Sequence, residues 1–224
     1  RSYMVKPEVE ALIPLFVIYF VVAAVLAFFV MRKGKTKLNA IDWAIIGVGG
    51  ALIAIADHVV GDAIFLPSGI YPIVNPPVWF RIFVFFIVAA VVRKVGVGMA
   101  SMAVYDIVSD LIHFSFAGEP LWIIEDVLTY GLMIDVAVLL TKGKLFGIGM
   151  KSFALFAIAE GMILGFLFSF VHPFFTYGFI APIVFGFVPN HERVTYLLLT
   201  YIPGDVFIGA VSAIVANRVA KVIR

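Results

Sequence analysis

A helical, polytopic membrane protein is the fold class this sequence predicts, and three observations predict it. Of 224 residues, 63% are hydrophobic and 13% charged, more apolar surface than a water-soluble domain of this size can hide. Apolar runs of about 20 residues, the length of a spanning helix, recur along the chain. The basic residues gather in alternate connections between those runs. Pro-rich interruptions and the lack of period-2 alternation argue against a membrane β-barrel. The chain has no cysteine, which excludes disulfides, thiolate metal sites and cysteine nucleophiles.

The spans follow in order at 10–31, 41–58, 77–92, 96–115, 120–141, 151–171 and 194–220. The first lacks a small-residue cleavage site and reads as a span, not a signal peptide. Asp42 opens the second as a helix N-terminal acid. The third ends at Arg93-Lys94, where the chain barely turns before the fourth. The fourth and fifth part near Gly118-Glu119-Pro120, and a small Gly/Lys loop over Thr141–Met150 precedes the sixth. With the N-terminus outside, the inner side collects Arg32, Lys33, Lys35, Lys37, Arg93, Lys94, Lys142, Lys144, Lys151, Arg218, Lys221 and Arg224. Arg1, Lys6, Arg81 and Arg193 fall outside. That bias predicts seven transmembrane helices, N-out and C-in, in a multi-pass protein of the cell membrane.

Two outer connections are long. His58–Pro76 is rich in Gly and Pro, and His172–Arg193 adds Phe174, Phe175, Tyr177, Phe179 and Phe187. Apolar loops of that length are expected to fold back as a lid or re-entrant cover, or to anchor in the headgroup layer.

Charge inside the spans marks the candidate site. Each ionisable group in hydrocarbon costs roughly 2.5–3.5 kcal/mol on insertion scales, so a cluster of them points to a polar cavity. Asp106, Asp110 and His113 fall at i, i+4 and i+7, one stripe of the fourth span. Glu125 and Asp126 begin the fifth at similar outer depth, with Trp122 and Tyr130 one turn to either side. Asp57, His58 and Asp62 close the second span on the same side, and Asp135 lies deeper. Carboxylates beside aromatic faces suit a cationic or hydrogen-bonding organic ligand. The same residues, Asp57, His58, Asp106, Asp110 and His113, are also of the types that hold a metal in an enzyme or ion carrier. Neither H-E-x-x-H nor Glu-x-x-His spacing occurs among them. A structural network bonding helix to helix is the third reading.

Other chemistries find no support. There is no phosphate-cradling G-x-x-x-x-G-K-[ST] loop, no nucleophile elbow and no zinc-protease helix. Basic residues in inner loops do not form a nucleic-acid groove. Small-residue spacing is frequent, as in Ala23-x-x-x-Ala27, Gly47-x-x-x-Ala51 and Gly50-x-x-x-Ala54, and lets helix backbones approach closely.

Trp79-Phe80 through Arg93-Lys94-Val95-Gly96, and Gly131-Leu132-Met133-Ile134-Asp135, carry a resemblance. Over about 41–224 the chain resembles the substrate-binding S-components of energy-coupling factor (ECF) transporters, of the hydroxymethylpyrimidine/thiamin type. Those proteins share a span that starts near an aromatic pair and ends in Arg-Lys-x-Gly. They also share a Gly-Leu-x-x-acid element and a long, Gly/Ala-rich last helix, here Pro203-Gly204-Asp205 through Arg224. The resemblance implies a six-helix core at 41–224 preceded by an extra helix and inner loop at 1–40. It also implies a subunit that is not an enzyme, takes no cofactor and captures a small vitamin precursor from outside. Its partners would be a transmembrane T-component and two ATPase subunits, with Gly47, Gly50, Ala51 and Ala54 as the docking face.

The chain departs from that pattern twice. Its first span is extra to the core. Ser101-Met102 stands where the family carries an acid soon after the Arg-Lys-x-Gly turn, so the first acid is Asp106. The expected site is therefore Trp79, Asp106, Asp110, His113, Trp122, Glu125, Asp126 and Tyr130, with no metal. Its acids bind a cationic nitrogen heterocycle, its aromatic rings stack and His113 orients a polar group.

Overall fold

The computed structural model describes residues 7–113 and 120–223, all of whose regular structure is helical. Gly118, Glu119, Arg1, Lys6 and Arg224, named above, lie outside the described residues. After a short helical turn at Pro7–Glu10, seven helices follow. They are α1 (Leu12–Lys33), α2 (Ala40–Gly61), α3 (Pro76–Val92), α4 (Val97–Ile112), α5 (Pro120–Asp126 running on through Val127–Gly131 and Leu132–Leu140), α6 (Phe153–Phe185) and α7 (His191–Ile223). Among the described residues α1, α2, α6 and α7 are long and apolar enough to cross a membrane, and α3 is a shorter apolar helix. At 1.5 Å per residue, α6 and α7 each extend about 50 Å, well beyond a hydrocarbon layer of about 30 Å.

Six helices share one core. Ile46 and Ile53 of α2, Phe85 and Phe86 of α3, Met102 of α4, Ile134 of α5, Phe168 of α6 and Ala213 of α7 are fully or almost fully buried in it. Helix α1 stands apart. Its inward residues Ala23, Ala27 and Val30 form a separate small cluster with Leu132 of α5, while most of its other side chains stay exposed. Apolar side chains left exposed in this way are compatible with a lipid solvent.

Local sequence explains the element ends. Asn39 and Asp42 form a reciprocal capping box at the start of α2, with bonds of 2.9 and 2.8 Å. Lys94 Nζ adds an ion pair to Asp42 at 2.5 Å. Arg93 ends α3 at φ 53°, in the left-handed region, and Gly96 at φ 103° leads into α4. Between α5 and α6, Phe146 is also left-handed (φ 53°). Glu160 of α6 accepts its backbone N–H at 2.5 Å, and Asn217 of α7 donates to its carbonyl at 2.7 Å.

Close helix contacts rest on glycine. A Cβ at Gly98 of α4 would collide with the Gly131 carbonyl of α5, and one at Gly161 of α6 with the Gly209 carbonyl of α7. Gly50 packs in the same way on Val104 and Ser101 of α4. With Ala54 fully buried, half of the four-residue face expected to dock a partner is used inside the chain. Gly47 and Ala51 are only half-buried, and nothing lies near a Cβ built at Gly47.

The expected loop at 172–193 differs from the structure. The helix continues to Phe185, and only 186–190 are irregular. Pro173 lies in Val171–Ile180, which is wound as a wide π-helix whose i→i+5 bonding relieves the ordinary ladder, and Pro182 stands in the first turn of the α-helical stretch that follows, Ala181–Phe185. The aromatic residues that marked this stretch as a cover pack sideways. Phe175 meets Tyr19 of α1 at 4.5 Å and Phe174 meets Phe179 at 5.1 Å between ring centroids. The 62–75 segment, by contrast, is irregular throughout.

Candidate functional site

Arg81 is the centre of the polar interior. It sits in the second turn of α3, and its side chain is only 13% exposed. Its Nε donates to Asp57 Oδ2 of α2 at 2.5 Å, and its Nη1 donates to the Tyr130 hydroxyl of α5 at 3.2 Å. The guanidinium carbon lies 5.2 Å from the ring centroid of Tyr105 and 5.4 Å from that of Tyr130. Tyr105 of α4 in turn donates its hydroxyl to Asp57 Oδ2 at 2.7 Å, and His58 Nε2 lies 3.1 Å from that hydroxyl. A planar guanidinium is the cation best suited to such a place, because it pairs, donates in several directions and stacks on rings at once. Arg81 was grouped above with outer-face cations. It is instead the counter-charge of the buried network.

Further carboxyl groups surround this pair. Asp126, Asp106, Glu125 and Asp205 all lie within electrostatic reach of Arg81. Asp106 and Asp126 meet across α4 and α5. Glu125 is buried and accepts the Thr176 hydroxyl of α6 at 2.5 Å. With Asp57, five carboxyl groups thus stand near one guanidinium. Among the described residues, Asp106 Oδ2, Asp205 Oδ2 and Trp79 Nε1 are buried without a hydrogen-bond partner. Buried polar atoms in that state carry a desolvation cost that a ligand would relieve.

The backbone is irregular where these groups meet. Each π-helical stretch among the described residues contributes to the cluster: Ala56–Gly61 carries Asp57 and His58, Val127–Gly131 carries Tyr130, and Val171–Ile180 carries His172 and Thr176. π-Helical stretches are frequent at functional positions, where they re-aim side chains. Behind Arg81, His172 stacks on Tyr201 at 5.7 Å, and Asn75 donates to the Tyr201 hydroxyl at 2.9 Å.

The residues expected from sequence divide among three places. Asp106, Glu125, Asp126 and Tyr130 join the Arg81 cluster. His113 is at the rim, with its ring edge-on to His58 at 4.5 Å, while Asp110 is half-buried and makes no ion pair among the described residues. Trp79 and Trp122 belong elsewhere. Trp79, two residues from Arg81, faces a different side of α3 and lines an apolar hollow of about 320 Å³ with Phe80, Val74 and Ile208. Trp122 packs toward Phe185 at 6.5 Å. Arg81, Tyr105, Thr176, Tyr201 and Asp205 were not singled out. An arginine inside an apolar span was the available signal for the first of them.

Asp135 has a structural task. Its Oδ1 accepts the backbone N–H groups of Gly96 and Gly98 at 2.8 and 2.9 Å, and its Oδ2 accepts that of Met99 at 2.9 Å. One carboxyl group on α5 therefore satisfies three donors left over at the start of α4. The paired motifs Arg-Lys-x-Gly and Gly-Leu-x-x-acid meet at this lock.

The other end of the bundle is basic. Lys33, Lys35, Arg93, Lys94 and Lys142 line a cavity of about 460 Å³ there. No family model, curated protein or solved structure matches this chain.

Proposed function

We propose that this chain is the substrate-binding membrane subunit of an uptake transporter, and that it captures a small cationic nitrogen heterocycle of the thiamin or pyrimidine-precursor class. Seven spans, N-out and C-in, would place the acidic end outside. The observation that carries the reading is the convergence of Asp106, Glu125, Asp126 and Asp205 on Arg81, the one guanidinium that acts on them among the described residues. Such a surplus of carboxyl groups inside an apolar bundle favours a positively charged guest.

The cluster divides the work. Arg81 already fills the cage made by Asp57, Tyr105 and Tyr130, so these three hold the helices rather than the guest. The guest would pair with Asp106 and Asp126 and with Glu125, whose carboxyl is oriented by Thr176. Access would come between the irregular 62–75 segment and the wide-turned part of α6. Coupling to a transmembrane T-component and two ATPase subunits rests on the sequence resemblance alone.

Calorimetric titration of the purified protein in detergent, with thiamin, with hydroxymethylpyrimidine and with a neutral isostere, tests the reading. A saturable signal for a cation and none for its isostere is expected. Absence of binding at millimolar ligand, or equal binding of the isostere, rules the reading out.

A further inference from the structure

We propose that His58, Asp62 and His113 form a binding site for a borderline divalent cation such as zinc, cobalt or nickel, at the rim of the acidic end. One nitrogen of each histidine and one Asp62 carboxylate oxygen lie within 4.8 Å of one another. Two imidazoles and a carboxylate are a donor set such cations accept. The set differs from the one the sequence suggested: Asp62 takes part, whereas Asp106 and Asp110 do not.

Hydrogen bonding behind the two rings argues for more than proximity. A carbonyl oxygen can only accept, so His113 Nδ1, 2.9 Å from the Ser109 carbonyl, carries a proton. A neutral His113 therefore holds its lone pair on Nε2. The Tyr105 hydroxyl donates to Asp57, which leaves its oxygen to accept from His58 Nε2 at 3.1 Å. A neutral His58 then holds its lone pair on Nδ1. That nitrogen faces Asp62 Oδ2 at 3.7 Å and Asp57 Oδ1 at 3.8 Å. Asp57 Oδ1 is buried and accepts no hydrogen bond among the described residues.

A lone pair opposed to two carboxylate oxygens is repulsive unless a cation stands between them. A proton on Nδ1 would be poorly placed, because 3.7 and 3.8 Å exceed hydrogen-bond length. Two ligands of one tetrahedral zinc, with bonds of 2.0–2.1 Å, stand about 3.4 Å apart. The His58–Asp62 separation is close to that spacing. The three donor atoms lie within 4.8 Å of one another, so the exposed His113 ring, at the C-terminal end of α4, would move inward to reach that spacing. The hydrogen bonds from His58 Nε2 to Tyr105 and from His113 Nδ1 to the Ser109 carbonyl fix the orientation of the two rings, as outer partners of metal-binding histidines do. Asp62 is 49% exposed, which leaves the remaining coordination position toward solvent.

The test is cobalt titration of the full chain, purified in detergent and stripped with chelator, read by visible absorption and by metal stoichiometry, with zinc as competitor. One cobalt per chain, displaced by zinc, is expected. His113→Ala should weaken binding on the order of tenfold or more. His191→Ala, which removes an exposed histidine outside the cluster, should leave it unchanged. Circular dichroism of both variants checks that the helices persist. No cobalt band in the parent, or equal affinity in parent and His113→Ala, overturns the proposal. Since no organic compound enters the titration, the outcome is independent of the vitamin-binding reading.

Discussion

The Nε of Arg81 lies 2.5 Å from Asp57 Oδ2, so a guanidinium on α3 and a carboxylate on α2 are held together inside an apolar bundle. Neither charge has water to fall back on, and each is tolerable only in the presence of the other.

Removing one partner should therefore be worse than removing both. Arg81→Met is expected to cost about 3–5 kcal/mol by stranding Asp57. Arg81→Met combined with Asp57→Leu should recover a large part of that loss. Thermal unfolding of the single and double variants in one detergent measures it. Arg81→Lys should not substitute, since an ammonium cannot serve Asp57 and Tyr130 while stacking on two rings.

Asp135→Ala should lower stability and leave ligand affinity intact, because this carboxyl caps α4 and lies away from the acid cluster. Three backbone donors would lose their acceptor, each worth about 1–3 kcal/mol when buried and unsatisfied. Unfolding temperature and calorimetric affinity, measured on the same preparation, separate the two effects. A loss of affinity without a loss of stability would place Asp135 in the site.

Glu125→Gln should weaken a cationic ligand by about 1.5–3 kcal/mol, the loss of one charged hydrogen bond. Asp110→Asn should have a smaller effect, as Asp110 is only half-buried and stands outside the Arg81 network. Equal losses in the two variants would move the ligand toward the rim.

Gly98→Ala places a methyl group against the Gly131 carbonyl and Ile134. Overpacking of this kind costs about 1–3 kcal/mol. Gly47→Ala should be close to neutral, since nothing lies near its Cβ. A chemical-denaturation comparison of the two checks whether the α4–α5 contact is as tight as the backbone implies.

Much of this architecture is legible in the chain. Apolar length places the helices, and the Asn39–Asp42 spacing marks a capped start that the structure realises. Acids inside spans locate the polar end, and Asp106, Glu125, Asp126 and Tyr130 do meet there. Periodicity was less informative about orientation. Trp79 and Arg81, two residues apart on one helix, face different surroundings, and an aromatic ring next to a charge in sequence need not be next to it in space. The stretch 172–185 reads as a loop because proline is counted as a helix breaker. A π-wound backbone removes that objection, and no local pattern announces it.

Composition and the distribution of charge alone determined that this is a helical protein suited to a membrane, with acids inside its apolar spans and most of its lysines in the connections between them. Hydrophobic length and charge placement are one-dimensional properties, and the sequence displays them directly. Only the tertiary structure decided that Arg81 answers the acids, that Asp135 locks two helices, and that His58, Asp62 and His113 share one rim. These are pairings between helices, set by which face each helix turns inward and how closely glycine lets backbones approach. Neither quantity can be read from spacing along a single strand of letters.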